Sequence, residues 1–455
     1  MKKRIASFLL VLVLTLSLSS CASCELPSFQ SLGTWGRINL AMSKVDSYEA
    51  DTEMQMEYVL NGNKISTTAT GKTIESGIGE NDYYYYQTAS VNVVCEELNM
   101  NINNFSREAY NEGQAFIYSK TENGKKSLRG KMDLKEFVEH KQDSSVNSLE
   151  LGNCSSIDVQ KNEDGGRRIT CSDYNKETVE KIAREYSFSK ATVGAELSDV
   201  KTTVFVDKDY RISSMTMEMI FSETDSNTSA KVTVKYSNYD SAERITDDLS
   251  DSLYKEIDYI GFLLKLDGMI EERENDKDGS FDLSIRQIFA VDGQEQTLNE
   301  TDEVSYGEEK GEYFYNISAQ TGGENITIKY RKNTQTIDDS FNVKTERQSE
   351  AEARYFISGL IDSAKYDITN VSEVSYVGSG IYKITCTGAS KELYQQVFTQ
   401  LGATTTASTQ AITIVVEDDT IMQISSEANV EGTVRNAYGS PPIKLTLKTV
   451  VKFEE

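Results

Sequence analysis

Apolar residues follow two rhythms along this chain, and each rhythm recurs in the second half. Val179, Ile182, Ala183 and Tyr186 fall at i, i+3, i+4 and i+7, which gives a helix one buried face. Tyr394, Val397, Phe398 and Leu401 repeat that spacing 215 residues later. Each predicted helix follows a strand-like stretch, Ile169-Thr-Cys171 in one case and Ile384-Thr-Cys386 in the other. Asn175 and Ser390 stand as N-caps, since their side chains can accept a bond from a free amide of the first turn. The match continues downstream. Thr203-Val-Phe-Val206 resembles Thr413-Ile-Val-Val416, each before an acidic turn. Ile212-Ser213-Ser214 corresponds to Ile424-Ser425-Ser426, and Lys231–Lys235 to Lys444–Lys448. The chain reads as a tandem duplication.

Period-two alternation predicts the front of each copy as a meander. Strands are expected at 52–60, 64–74, 83–94 and 115–119, and again at 281–291, 295–305, 312–318 and 325–331. Turns are expected at Asn61-Gly62, Gly77-Ile78-Gly79, Asp292-Gly293 and Gly322-Gly323. A helix with Trp35, Ile38, Met42 and Val45 on one side opens the first copy, and a helix over 253–266 opens the second. The expected class is α+β: two tandem copies of a curved antiparallel sheet, half-barrel-like, with helices packed on one face. The first copy spans 32–248 and the second 249–455.

The chain starts with Lys2, Lys3 and Arg4 and an apolar run from Ile5 to Leu18, the layout of a signal peptide over 1–20. The run falls short of the roughly 20 apolar residues of a membrane-spanning helix. Leu18-Ser19-Ser20-Cys21 resembles a lipobox. In that reading Cys21 carries acyl chains after cleavage, and 21–31 is a tether. Each buried methylene contributes about 0.8 kcal/mol to such an anchor. The expected location is the extracytoplasmic face of a bacterial membrane.

Ala41-Met-Ser-Lys-Val-Asp-Ser-Tyr48-Glu-Ala-Asp51, followed by Glu53–Tyr58, resembles the start of the LolA/LppX-like bacterial lipoproteins. Tyr110-Asn-Glu-Gly113-Gln-Ala-Phe-Ile-Tyr118 resembles that group's strand that opens after a glycine and carries aromatic residues. The resemblance implies a curved sheet with helices over its concave side, and acyl chains held between them in some members. It carries over no ligand-binding residue.

Met54 and Met56 share one face of a strand, and Met215, Met217 and Met219 one face of another. Methionine adapts to varied apolar shapes, so these five are the candidate lining of an apolar pocket, with ordinary core filling as the alternative. Tyr83 and Tyr85 point one way and Tyr84 and Tyr86 the other, as on a half-buried strand with two exposed rings.

Composition narrows the chemistry. The formal charge of −25 over 455 residues disfavours nucleic acid and anionic headgroups. The single histidine, His140, sits in a charged helix end and reads as a solvated surface residue. No serine triad, zinc motif or phosphate loop is present, so no catalytic residue, metal or cofactor is assigned. Asp276-Lys-Asp278-Gly279 is similar to a calcium loop but lacks the full ligand series and reads as a turn. Of six cysteines, Cys154 and Cys171 flank a hairpin and could pair, with Cys95 also in that half. The expected function is binding or shielding of a hydrophobic or lipid ligand in the envelope. The alternative is an interaction module (adhesin, scaffold or sensor partner) with solid cores. No protein partner can be read from the chain.

Overall fold

The computed structural model describes residues 29–454, except 61–62, 79–81, 98, 122–123, 144–153, 175–195, 223–226, 275, 277, 340, 363–365, 367 and 435–440. The signal segment, Leu18, Ser19, Ser20, Cys21, Cys24, the Asn61-Gly62 turn, Gly79, Asn175 and the helix of Val179 to Tyr186 lie outside the described residues.

The first half opens with α1 (Phe29–Met42) and continues through β1 (Ser47–Leu60), β2 (Asn63–Ser76), β3 (Tyr84–Cys95), β4 (Met100–Asn111), β5 (Gln114–Thr121) and β6 (Gly124–Lys131). Then come α2 (Leu134–Asp143), β7 (Cys154–Lys161), β8 (Arg167–Tyr174), β9 (Glu196–Val206), β10 (Ile212–Ser222) and β11 (Asn227–Ser237). A connector with the short strand β12 (Lys255–Glu256) leads to α3 (Ile260–Glu274). The second half has β13 (Gly279–Val291), β14 (Gln294–Glu309), β15 (Glu312–Thr321), β16 (Glu324–Arg331), β17 (Thr334–Asp338), β18 (Val343–Arg347) and α4 (Glu350–Ile361). It closes with β19 (Val371–Gly378), β20 (Ile381–Cys386), α5 (Lys391–Gln400), β21 (Ala403–Glu417), β22 (Thr420–Val434) and β23 (Pro442–Phe453).

The first sheet runs β12-β6-β5-β4-β3-β2-β1-β11-β10-β9-β8-β7, and the second β18-β17-β16-β15-β14-β13-β23-β22-β21-β20-β19. Apart from β12, the two orders are the same. In each half the first strand pairs with the last, β1 with β11 and β13 with β23. Hairpin turns follow local chemistry: Asp292 and Gly293 have φ of 49° and 81°, and Gly322 and Gly323 59° and 90°. Two successive positive φ values make the type I′ turn that matches strand twist.

The class is mostly β, which corrects the α+β expectation. Two large antiparallel sheets make up the molecule, and its helices are few. Among the described residues they do not form a layer over a sheet face; each touches a limited set of residues. Ile38 of α1 packs with Ile169, Val204 and Val206. Phe137 of α2, Leu263 of α3 and Ile357 of α4 share a cluster that draws residues from both sheets. Strands β4, β6, β17 and β18 were not expected, because their sequences are polar. β18 is exposed at all five positions; cross-strand backbone bonds hold it, and hydrophobic alternation cannot reveal such a strand. Among the described residues no helix is long and apolar enough to cross a membrane.

The connector departs most from expectation. Residues 253–259, the first half of the predicted opening helix, are not helical: Leu253 ends a 3₁₀ turn, Lys255–Glu256 form β12, and the helix starts only at Ile260. β12 runs parallel to β6, and the Ile257 amide donates to Arg129 O at 2.8 Å. Upstream, the Tyr84 hydroxyl donates to Ile245 O at 2.7 Å and Tyr86 to Asp248 at 2.9 Å. Arg107 binds Asp248 Oδ2 at 2.8 Å and the Tyr254 hydroxyl at 3.1 Å. All four tyrosines, 83 to 86, are therefore buried. The two expected to be exposed lie under the connector, a long-range contact that strand alternation cannot register.

Candidate functional site

The inner face of the first sheet is the face that carries Tyr48, Met54 and Met56. Register brings both methionine sets onto it. Met54 faces Val232, which faces Met217; Met56 faces Ala230, which faces Met219. Met215 continues the row beside Val234. Strands β1, β11 and β10 are neighbours, so five methionines form one band three strands wide. Met56, Met217 and Met219 are at most 1% exposed. The described members of their cluster, including Val200, Phe221 and Val232, all come from this one sheet.

The second sheet solves the same position differently. Its β22–β23 register pairs Ala428 with Leu447, Val430 with Leu445 and Gly432 with Ile443. These three stand where Met215, Met217 and Met219 stand in the first sheet. Tyr394 and Phe398 of α5 fill the space above the small residues. A Cβ on Gly432 would lie 2.7 Å from the Phe398 ring. The first-half counterparts of Tyr394 and Phe398 are Val179 and Ala183, smaller residues outside the described set. The first sheet carries more side-chain volume at these three positions than the second.

On β2 and β4 acidic side chains enter the inner face, which is apolar again on β5 and β6 at Ile117 and Leu128. The Glu75 carboxylate accepts from the Tyr48 hydroxyl at 2.6 Å and from the Tyr83 hydroxyl at 2.9 Å. Burial, and then the negative charge of Glu75, push both hydroxyls far above the usual tyrosine range, so both remain donors. Glu108 lies nearby on β4. Burial raises its carboxyl, but His140 and Lys141 outweigh that and hold it below the ordinary glutamate range. His140 Nε2 is 3.3 Å from Glu108 Oε1 and Lys141 Nζ 3.4 Å. The His140 contact is an ion-pair distance without hydrogen-bond alignment. Lys141 also reaches Gln87 at 3.2 Å and stands 4.6 Å over the Tyr85 ring. His140 is therefore not the solvated residue expected: its side chain is 13% exposed. Helix α2 lays this residue against β4, because Phe137 stacks on Tyr110 at 4.7 Å. A polar helix end gave no sequence signal for that contact.

A third feature lies at the seam of the halves. A cavity of about 440 Å³ is lined by Lys131, Glu136, Asp258, Tyr259, Phe262 and Tyr382. Phe262 and Tyr382 stack at 3.7 Å, and Tyr259 leans on Tyr376 at 6.0 Å. Gly261 admits the Glu136 carboxylate against the start of α3, where a Cβ would strike it. None of these residues was singled out beforehand, since both halves are needed to form the cavity.

The cysteine hairpin offers no bridge. Cys171 faces Ile157 and Cys154 faces Tyr174, three positions apart. Three residues span about 10 Å of strand, beyond the Cα reach of a disulfide. Among the described residues, no group of three or more His, Cys, Asp or Glu could hold a metal ion.

No family model matches the chain, and no curated protein matches it. Among solved structures, a protein designated AttH from Nitrosomonas europaea aligns over 90% of this chain and 93% of its own, at 8% identity and a TM-score of 0.15. A DUF1329-family protein from Desulfovibrio piger aligns over 49% of this chain and 99% of its own, at 10% identity and a TM-score of 0.18. The translocator domain of the autotransporter NalP from Neisseria meningitidis aligns over 93% and 95%, at 5% identity and a TM-score of 0.10. Likeness this low carries neither fold nor function across.

Proposed function

We propose that this protein is a lipid-anchored, extracytoplasmic, non-enzymatic binder of a hydrophobic or lipid ligand, received on the inner face of its first sheet. One observation carries the reading: Met54, Met56, Met215, Met217 and Met219 form a single band across β1, β11 and β10. A flexible thioether surface adapts to an acyl chain as a rigid aromatic core does not. The lipobox-like Leu18-Ser19-Ser20-Cys21 supports the location, and the formal charge of −25 disfavours anionic headgroups as the hold. The test is native mass spectrometry of the mature chain purified from its own host. Co-purifying or rebinding lipid is expected. If no lipid is found and none binds on addition, the reading is overturned.

A second reading, an interaction module with solid cores, is favoured by the difference in side-chain volume between the two sheets. Met215, Met217 and Met219 stand in the first sheet where the second has Ala428, Val430 and Gly432 beneath Tyr394 and Phe398. In that case the same experiment finds the mature chain empty.

A further inference from the structure

Because the sheets share one strand order, inner-face positions correspond. Lys231–Lys235 matches Lys444–Lys448, and the registers β1–β11 and β13–β23 then place Tyr48 against Leu283. On the next strand Glu75 pairs with Tyr48, and Asp302 pairs with Leu283. One strand further, Tyr85 faces Glu75 and Ala319 faces Asp302. Two positions along, Tyr83 corresponds to Ile317. An acid thus occupies the same inner-face position in both halves, while the tyrosines around it occur in one half only.

The consequence is an imbalance. Glu75 accepts two tyrosine hydroxyls, whereas Asp302 has leucine and isoleucine in their place. Asp302 is 6% exposed, and its Oδ1 is buried without a hydrogen-bond partner. A buried carboxyl left in this state costs free energy that a donor would recover. Burial first and Glu300 second push its titration upward, to about 6, and no cation offsets them. The surroundings are open on one side. Along the inner face of β14, Gln296 and Leu298 are exposed, Glu300 is half-buried, and Asp302 is buried. Leu298 is 45% exposed, and Ile285 and Ile326 beside this row are half-buried. A partly covered apolar strip, exposed at Leu298 and half-buried at Ile285 and Ile326, therefore leads to an acid that lacks donors.

We propose that Asp302 anchors a second amphiphile site, on the inner face of the second sheet, whose ligand carries a primary ammonium head and an apolar tail. The ammonium N–H groups take the place of the two hydroxyls that Glu75 receives, and Glu300 adds the complementary charge. The tail lies on Ile285, Leu298 and Ile326. The proposal rests on the reading that this protein receives amphiphiles, and it places the polar head in the other half of the molecule.

The test is calorimetric titration at pH 7 of residues 21–455 carrying Cys21→Ala, with octylammonium, octan-1-ol and octanoate. Octylammonium is expected to bind more tightly than octanol by about tenfold or more, the size of one charge-assisted contact, and octanoate not at all. Asp302→Asn should remove the preference for ammonium, while Glu75→Gln leaves it intact. Leu283→Tyr, which restores the first-half hydroxyl beside Asp302, should also weaken octylammonium. Equal binding of octylammonium and octanol, or octylammonium binding that is indifferent to both Asp302→Asn and Leu283→Tyr, overturns the assignment of the head while amphiphile binding stands. Absence of any binding overturns the site; lipid still found on the host-purified protein would show that the first-sheet reading survives it.

Discussion

Tyr48 on β1 donates its hydroxyl to Glu75 on β2 at 2.6 Å, and the two residues face each other directly in the antiparallel ladder. Tyr83 supplies a second donor at 2.9 Å, so a carboxylate is held inside the sheet by two neutral groups. Tyr48→Phe removes one of them and leaves the packing of the ring. A loss of about 1.5–3 kcal/mol is expected in urea unfolding, the range for a hydrogen bond to a charged group. An unchanged midpoint would mean that solvent replaces the hydroxyl.

Two interior acids should respond to pH in opposite senses. His140 and Lys141 hold Glu108 below its ordinary value of 4.5 against the effect of burial. Its stabilising share is therefore present above pH 4.5 and is lost as pH falls through the folded value. Burial and Glu300 raise Asp302 from 3.8 to about 6. In the folded state its neutral form is favoured, so stability is greatest below about pH 4 and declines as pH rises through about 6. Glu108→Gln is expected to destabilise at pH 7 and to matter little at pH 3. Asp302→Asn should stabilise at pH 7, by about 1–3 kcal/mol, and its gain should vanish near pH 3.5. Thermal unfolding of both variants across pH 3–8 checks the pair, and parallel profiles would refute it.

Gly432 lies beneath Phe398, and a Cβ there would also come within 2.5 Å of Thr404 O. Gly432→Ala is expected to cost about 1–3 kcal/mol through overpacking. The corresponding first-sheet position holds Met219, so Met219→Ala should act by the opposite mechanism. Loss of a buried methionine side chain costs about 2–5 kcal/mol. Chemical denaturation of the two variants measures both, and a neutral Met219→Ala would show that this band is loosely packed.

If Cys21 carries the proposed lipid anchor, Cys21→Ala is expected to release the protein from the membrane fraction. Fractionation after a salt wash checks this. Sedimentation of the variant with membranes would reveal a second anchor.

Some features of this molecule are local in origin, and the chain alone determined them. The alternation that sets Met54 with Met56, and Met215 with Met217 and Met219, follows from the two-residue period of a strand. The turns at Asp292-Gly293 and Gly322-Gly323 follow from residues that tolerate positive φ. The recurrence of Ile169-Thr-Cys171 at Ile384-Thr-Cys386 is visible in the letters, and these stretches occupy equivalent strands, β8 and β20. Tertiary structure decided which distant residues meet. Register joined the two methionine sets into one band, and the connector covered Tyr84 and Tyr86. Helix α2 carried His140 to Glu108, and neighbouring strands gave Glu75 its hydroxyls while leaving Asp302 without them. The reason is physical: a period can be read from near neighbours, but a partner depends on strands that the chain brings together only when both sheets have formed.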